Sequence, residues 1–199
     1  IMGSGGMVVM DEDNCMVDMA KYFLEFTNDE SCGRCTSCRE GSSALLEIIN
    51  RITNGEGQEG DIELLSELGE AIIDASMCQL GGTLPKPVLS TLRHFKDEYI
   101  EHITYKRCPA LVCKNLIQYY IDPDKCVGCR ECLKICPANA IQGELKYIHI
   151  IDQDTCTKCG LCVEACPPKV TAVRKVATVD MKTLEQLPEI IPCAERRKQ

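Results

Sequence analysis

The chain has 199 residues and a formal net charge of −8, with 45% hydrophobic but only 5% aromatic residues and no tryptophan. This length allows one large domain or two small ones. The acidic balance argues against nucleic-acid binding and favours partners with a basic rim, such as small redox proteins. The chain has neither a membrane-length apolar run nor a signal-peptide pattern, and its many thiols need a reducing compartment, so a cytoplasmic protein is expected.

The residue pattern in the first half of the chain predicts helices. The apolar run Met7–Met10 is predicted to be a short buried strand, and the apolar residues after it recur at helical spacing. Four amphipathic helices with short connections indicate an up-and-down bundle. The predicted helices cover residues 14–27, 40–54, 61–76 and 86–104.

A run of three cysteines lies between the first two predicted helices, at Cys32, Cys35 and Cys38. If the helices alternate in direction, Cys78 returns to the same end of the bundle, which makes it the natural fourth ligand of a [4Fe-4S] cluster. The N-terminal dipoles of the second and fourth helices would stabilise a negatively charged cluster. A structural zinc site with four cysteines is the alternative.

The last third of the chain carries two copies of C-x2-C-x2-C-x3-C-P, beginning at Cys126 and Cys156. This is the spacing of bacterial two-cluster ferredoxins, in which the fourth cysteine of each copy ligates the other cluster. Zinc ribbons, the alternative, use cysteine pairs separated by longer loops. Strands are predicted at 145–151 and 170–179. The predicted ligands are Cys126, Cys129, Cys132 and Cys166 for one cluster, and Cys136, Cys156, Cys159 and Cys162 for the other.

Several features of the chain resemble one family. The turn Gly3–Gly6, the run Ser31-Cys-Gly-Arg-Cys-Thr-Ser-Cys-Arg-Glu-Gly41 and a single Cys78 before Gly-Gly are similar to the C-terminal bundle of the flavoprotein subunit of NADH dehydrogenases. That family usually has lysine and proline where this chain has Arg34 and Ser37, neither of which is a ligand. The ferredoxin domain fused after the bundle resembles the beta subunit of multimeric, electron-bifurcating [FeFe] hydrogenases.

The resemblance implies that FMN and NAD(P) bind an N-terminal domain outside this chain, so no flavin, nucleotide or catalytic residue is predicted here. It also implies three partners: a hydrogenase catalytic subunit, a small [2Fe-2S] thioredoxin-like subunit, and ferredoxin as a soluble carrier. The start at Ile1 is expected of the C-terminal part of a longer polypeptide.

The predicted fold class is therefore α+β, with a four-helix bundle that carries one [4Fe-4S] cluster and a 2[4Fe-4S] ferredoxin-like domain after it. The chain is predicted to divide into five parts. Residues 1–13 would be the end of the N-terminal flavin and nucleotide domain that lies outside this chain. They are followed by the iron–sulfur bundle at 14–104, a connector at 105–118, the ferredoxin domain at 119–179 and a tail at 180–199.

Four cysteines remain after the predicted cluster ligands are assigned: Cys15, Cys108, Cys113 and Cys193. The bundle topology brings the start of the first helix and the end of the fourth together, so Cys15, His102, Cys108 and Cys113 are predicted to form a structural zinc site that secures the connector. Cys193 is the rival of Cys15, and unpaired thiols are the alternative. No ligand role is predicted for the other histidines, His94 and His149.

Two functions are compatible with these features. The first is an electron relay within a flavin-dependent, NAD(P)H-linked oxidoreductase, chiefly an electron-bifurcating hydrogenase that couples NADH and ferredoxin to H2. An NAD-dependent formate dehydrogenase or an NADP-reducing hydrogenase would use the same module. The second is a stand-alone polyferredoxin carrier or a redox-sensing scaffold, against which the helical bundle argues.

Overall fold

A computed structural model describes residues 7–179 and 192–193 of the chain. The chain divides into two compact units, residues 1–116 and 117–199. The predicted turn at Gly3–Gly6 and most of the predicted tail, 180–191 and 194–199, lie outside the described residues.

The described part of the first unit is helical. Helix α1 packs against α2 and α5, and α3 packs against the same two helices, so these four enclose one core. The core consists of aliphatic side chains with almost no exposed surface, among them Leu24, Leu45, Ile49, Leu65 and Val88. The elements are α1 Met16–Asp29, α2 Thr36–Thr53, α3 Asp61–Ala75, α4 Gln79–Thr83, α5 Lys86–His94, α6 Lys96–Ile103 and a 3-10 turn at Lys114–Leu116.

Two predictions for this unit were wrong. The segment Met7–Met10 forms no strand and its side chains are largely exposed, because the described residues offer it no partner strand. The predicted helix at 86–104 is two helices, since Phe95 adopts φ −132° and ψ 35°. The hydroxyls of Thr91 and Tyr99, 2.8 Å apart, tie α5 to α6 across this break.

The described part of the second unit is an internal duplication built from short strands and helices. Strand β1 pairs antiparallel with β4, with Ile121 opposite Val173, and β2 pairs antiparallel with β3. The predicted strands at 145–151 and 170–179 are shorter than expected. The elements are β1 Ile117–Ile121, α7 Glu131–Ile135, β2 Ile141–Gln142, β3 Ile150–Ile151, α8 Leu161–Ala165 and β4 Val173–Ala177.

Each half of the duplication runs from a strand through a cysteine-rich loop into a one-turn helix and a second strand. The residue before each one-turn helix has a left-handed backbone, Arg130 with φ 68° and Gly160 with φ 85°. In neither unit does the described part of the chain contain a helix long and apolar enough to cross a membrane.

Candidate metal centres

Six cysteines of the two ferredoxin-type motifs lie within or against the small core of the second unit. Cys132 and Cys162, at the starts of α7 and α8, are buried within it. The other cysteines that pack against this core are partly buried: Cys126, Cys136, Cys156 and Cys166. The core of this unit is therefore lined by thiols from both motifs.

A small cavity collects one of the two predicted ligand sets. Its walls include Cys156, Cys159 and Cys162 of the second motif together with Cys136, the last cysteine of the first motif. Tyr119 of β1 also lines this cavity. The described fold thus brings Cys136 across to the thiols of the other motif, as the crossed pattern requires. The corresponding placement of Cys166, the last cysteine of the second motif, next to the thiols of the first motif stays a prediction.

The thiols in this core repel one another when they ionise. Burial, followed by the charges of Cys126 and Cys129, raises the pKa of Cys132 to about 12. Burial and the charges of Cys156 and Cys159 likewise raise the pKa of Cys162 to about 11. Metal ligation needs thiolates, so such a site becomes favourable only when a cation compensates the crowded negative charge.

Backbone donors already point at several of these sulfur atoms. The amide of Ala140 donates to Cys136 Sγ at 3.3 Å, and the amide of Ala172 donates to Cys166 Sγ at 3.3 Å. Hydrogen bonds to the ligand sulfurs are one of the factors that set the reduction potential of an iron–sulfur cluster. The two crossing cysteines therefore carry the donors expected of cluster ligands.

The first unit brings the other three-cysteine run close to the segment that contains Cys78. The hydroxyl of Ser37, in the first turn of α2, lies 3.4 Å from that of Ser76 at the end of α3. A Cβ atom on Gly81 of α4 would lie 3.5 Å from the Cβ of Cys38. Cys35 and Cys78 directly precede α2 and α4. Ligation of one cluster by Cys32, Cys35, Cys38 and Cys78 fits this proximity and stays a prediction.

A third group of candidate ligands is assembled at Cys15, His102, Cys108 and Cys113, which are all buried and whose ligand atoms all lie within 4.8 Å of one another. The Sγ atoms of Cys15 and Cys113 are 3.8 Å apart, and Nε2 of His102 lies 3.4 Å and 3.3 Å from them. A tetrahedral zinc with bonds of about 2.3 Å to sulfur and about 2.0 Å to nitrogen gives edges of about 3.8 Å and about 3.5 Å. The group therefore fits zinc.

Glu98 of α6 orients two members of this group. Its backbone carbonyl lies 2.7 Å from Nδ1 of His102 and its carboxylate accepts the amide of Met16, next to Cys15, at 2.9 Å. With Nδ1 donating to that carbonyl, Nε2 keeps its lone pair for a metal. Cys193 belongs to the second unit, where its amide donates to the carbonyl of Lys146.

The group is strongly coupled electrostatically. Burial lowers the pKa of His102, but hydrogen bonds with Cys108 and Cys15 outweigh it and raise that pKa to about 10. Hydrogen bonds from Cys113 and then Cys15 lower the pKa of Cys108. A bound dication would take over the place of the proton that these groups share.

His149 is a residue of interest that the sequence reasoning missed. Its side chain is only 1% exposed, and its Nδ1 lies 3.7 Å from Sγ of Cys126. Burial, with the charge of Arg130, lowers its pKa. The duplication offered a signal: His149 stands seven residues before Cys156, as Tyr119 stands seven residues before Cys126.

Comparison with known families identifies both units as iron–sulfur regions. Residues 18–102 match the iron–sulfur binding region of NADH-ubiquinone oxidoreductase-F. Residues 119–174 match a 4Fe-4S dicluster domain. The chain is therefore similar to two iron–sulfur families, first to the F-type region and then to the dicluster domain.

Individual relatives come from NADH- and NADP-linked complexes. The HndC polypeptide of the NADP-reducing hydrogenase of Solidesulfovibrio fructosivorans is 54% identical over 149 residues, which cover 75% of this chain and 30% of that protein. The F 2 polypeptide of the NADH-quinone oxidoreductase of Rhizobium meliloti is 41% identical over 109 residues, 55% of this chain and 26% of that protein.

The mitochondrial 51 kDa subunit of NADH-ubiquinone oxidoreductase from Neurospora crassa is 35% identical over 97 residues, which cover 49% of this chain and 20% of that protein. The chain thus spans less than a third of the length of each of these relatives. It is similar to segments of subunits that are named as parts of NADH- or NADP-linked oxidoreductases.

Proposed function

We propose that this chain relays electrons within a flavin-dependent, NAD(P)H-linked oxidoreductase. Three [4Fe-4S] clusters, one in the first unit and two in the second, would supply the one-electron carriers. The chain's own residues hold these carriers and limit their contact with water. Outer-sphere electron transfer needs no general acid or base, so no catalytic side chain is assigned.

The cavity in the second unit is the observation that carries this proposal. It gathers Cys136 with Cys156, Cys159 and Cys162, although Cys136 belongs to the other motif. A pair of independent four-cysteine zinc sites would not need thiols exchanged between the two motifs. A crossing of this kind, in both directions, is the arrangement of two-cluster ferredoxins.

We further propose a hydrogenase of the electron-bifurcating type as the enzyme, with NADH and reduced ferredoxin as electron donors for H2 formation. The 54% identity to a subunit of an NADP-reducing hydrogenase supports a hydrogenase. In this proposal FMN and the nicotinamide bind elsewhere in the protein or its complex. A catalytic hydrogenase subunit and a [2Fe-2S] thioredoxin-like subunit are the proposed partners.

We also propose that Cys15, His102, Cys108 and Cys113 hold a structural zinc ion. Zinc has no redox chemistry, so its role would be to fix geometry. The site would join the start of α1 to the end of α6 and to the Cys108–Cys113 loop, all within the first unit.

Iron analysis of matched variants tests the cluster assignment. The anaerobically reconstituted chain is expected to hold about twelve iron atoms, four per cubane. The Cys78→Ala variant should lose up to a third of the iron and one [4Fe-4S] electron paramagnetic resonance signal, whereas Cys193→Ala should retain both. Full iron and an unchanged spectrum in Cys78→Ala would contradict the ligation in the first unit.

The identity of the enzyme is tested by purifying the native complex through a tag on this chain. Co-purification of a hydrogenase catalytic subunit, with H2 formation from NADH and reduced ferredoxin together, is expected. Co-purification of a formate dehydrogenase subunit would replace the hydrogenase assignment. H2 formation from NADPH alone would retain a hydrogenase but exclude bifurcation.

A further inference from the structure

A buried histidine lies beside one of the two ligand sets in the second unit. His149 stands just before β3 and is 1% exposed. Its Nδ1 lies 3.7 Å from Sγ of Cys126, the first cysteine of the first motif. Its other ring nitrogen, Nε2, is buried and has no hydrogen-bond partner among the described residues.

The segment that contains His149 packs against the cysteine-rich loop of the first ferredoxin-type motif. The amide of Lys146 donates to the carbonyl of Gly128 at 2.9 Å. Gly128 has φ 69°, and a Cβ atom there would lie 2.6 Å from backbone atoms of Tyr147. On the other side, a Cβ atom on Gly143 would lie 2.6 Å from the ring of His149. The absence of a side chain at Gly128 and at Gly143 therefore makes the space that allows the imidazole to contact Cys126.

The chemistry of the contact sets the direction of the hydrogen bond. A cysteine that ligates iron is a thiolate, which can accept a hydrogen bond but cannot donate one. Nδ1 of His149 is then the donor to Cys126, and Nε2 is left as a buried acceptor without a partner among the described residues. A buried acceptor without a hydrogen-bond partner is destabilising, because it has lost its hydrogen bonds to water. An apolar ring would avoid this penalty, so stability alone does not explain a histidine here.

The duplication shows that the contact is asymmetric. Tyr119 occupies the position in the first half that His149 occupies in the second, seven residues before the first cysteine of its motif. Tyr119 lines the cavity with Cys156, Cys159 and Cys162. Each thiol set therefore has a ring from the other half beside it. Among the described residues, however, the hydroxyl of Tyr119 has no hydrogen bond to a cysteine sulfur, whereas Nδ1 of His149 lies within hydrogen-bond distance of Cys126 Sγ.

We propose that His149 donates a hydrogen bond from Nδ1 to Cys126 Sγ and thereby raises the reduction potential of the cluster ligated by Cys126 above that of its neighbour. A donor to a ligand sulfur stabilises the reduced cluster, which carries one more negative charge than the oxidised one. One electron shared by the pair then resides on the Cys126 cluster, while the other cluster stays oxidised. This inference rests on the proposed cluster ligation.

The test is a redox titration of the reconstituted chain, followed by electron paramagnetic resonance, for the wild type and His149→Phe. Phenylalanine keeps a ring of similar size but lacks the donor. We expect the potential of one ferredoxin-type cluster to become more negative while that of the other stays unchanged. Tyr119→Phe, the matched control in the other half, should leave the potential of the Cys126 cluster unchanged.

A second measurement does not depend on how well the variant folds. The wild-type chain is labelled with 15N-histidine, and pulsed electron paramagnetic resonance of the reduced Cys126 cluster should then detect a magnetic coupling to a histidine nitrogen. Absence of that coupling, or equal potentials in the wild type and His149→Phe, would overturn the inference. Iron content is measured first, because a wild-type chain that assembles no clusters in the second unit would instead refute the proposed function.

Discussion

At the scale of single residues, the side chains of Cys15, His102, Cys108 and Cys113 determine which metal ion their site fits. None of the four is exposed, and the distances from His102 Nε2 to two of the sulfurs match the edges of a zinc tetrahedron. When these three buried thiols ionise, their negative charges are crowded together in the core, and a bound dication would compensate them.

Removing one of these thiols should abolish zinc binding. We expect Cys108→Ala to lose the zinc ion, and its free energy of unfolding to fall by about 4 kcal/mol, the linkage value for a ligand present at a thousand times its Kd. Metal analysis and denaturant unfolding measure the two effects. Cys193→Ala should retain zinc. Unchanged zinc content in Cys108→Ala would eliminate the site.

At the scale of elements, the close approach of α2 and α3 depends on a glycine. Gly41 lies in α2 and is buried against α3. A Cβ atom there would lie 2.6 Å from Cγ1 of Ile72, which is itself only 1% exposed. Because Ile72 is enclosed in the core, it has little room to move aside.

Alanine should therefore have opposite effects at two helical glycines. In Gly41→Ala the overpacking exceeds the gain in helix propensity, and we expect a loss of about 1 kcal/mol of stability. In Gly82→Ala of α4, where a Cβ atom meets nothing within 4 Å, stability should rise by about 0.5–1 kcal/mol. Denaturant unfolding of both variants is the measurement, and a stabilised Gly41→Ala would show that the helices are less closely packed.

At the scale of the whole molecule, the formal net charge of −8 governs encounters with other proteins. Thiolate ligation adds negative charge that the iron offsets in part. Long-range attraction therefore favours redox partners with a basic surface, and it acts on the rate of association more than on the final affinity.

Electron transfer to a small basic haem protein should accordingly be sensitive to salt. Between about 0.01 M and about 1 M ionic strength the Debye length falls from about 30 Å to about 3 Å. We expect the second-order rate constant, followed by stopped flow, to fall at least about tenfold. An acidic acceptor of similar size is the control and should show no such fall. Equal salt dependence for both acceptors would exclude electrostatic steering.

The local patterns were sufficient for much of the architecture. Apolar residues at helical spacing predicted α1, α2 and α3 closely, because each of these helices buries one stripe against the same core. The prediction of one helix at 86–104 failed because the helical spacing of apolar residues continues through Phe95 although the backbone turns there. The run Met7–Met10 failed because a strand needs a partner, which no local pattern reveals.

The sequence by itself determined the iron–sulfur chemistry, because the spacing of cysteines along a loop already specifies which thiols can reach one cluster. The sequence also predicted that Cys136 would meet the thiols of the other motif and that His102 would meet Cys15. Only the tertiary structure brought His149 to Cys126 and set the distances among Cys15, His102, Cys108 and Cys113. Such contacts join residues that lie far apart in the chain, and they depend on how helices and strands pack rather than on the local order of residues.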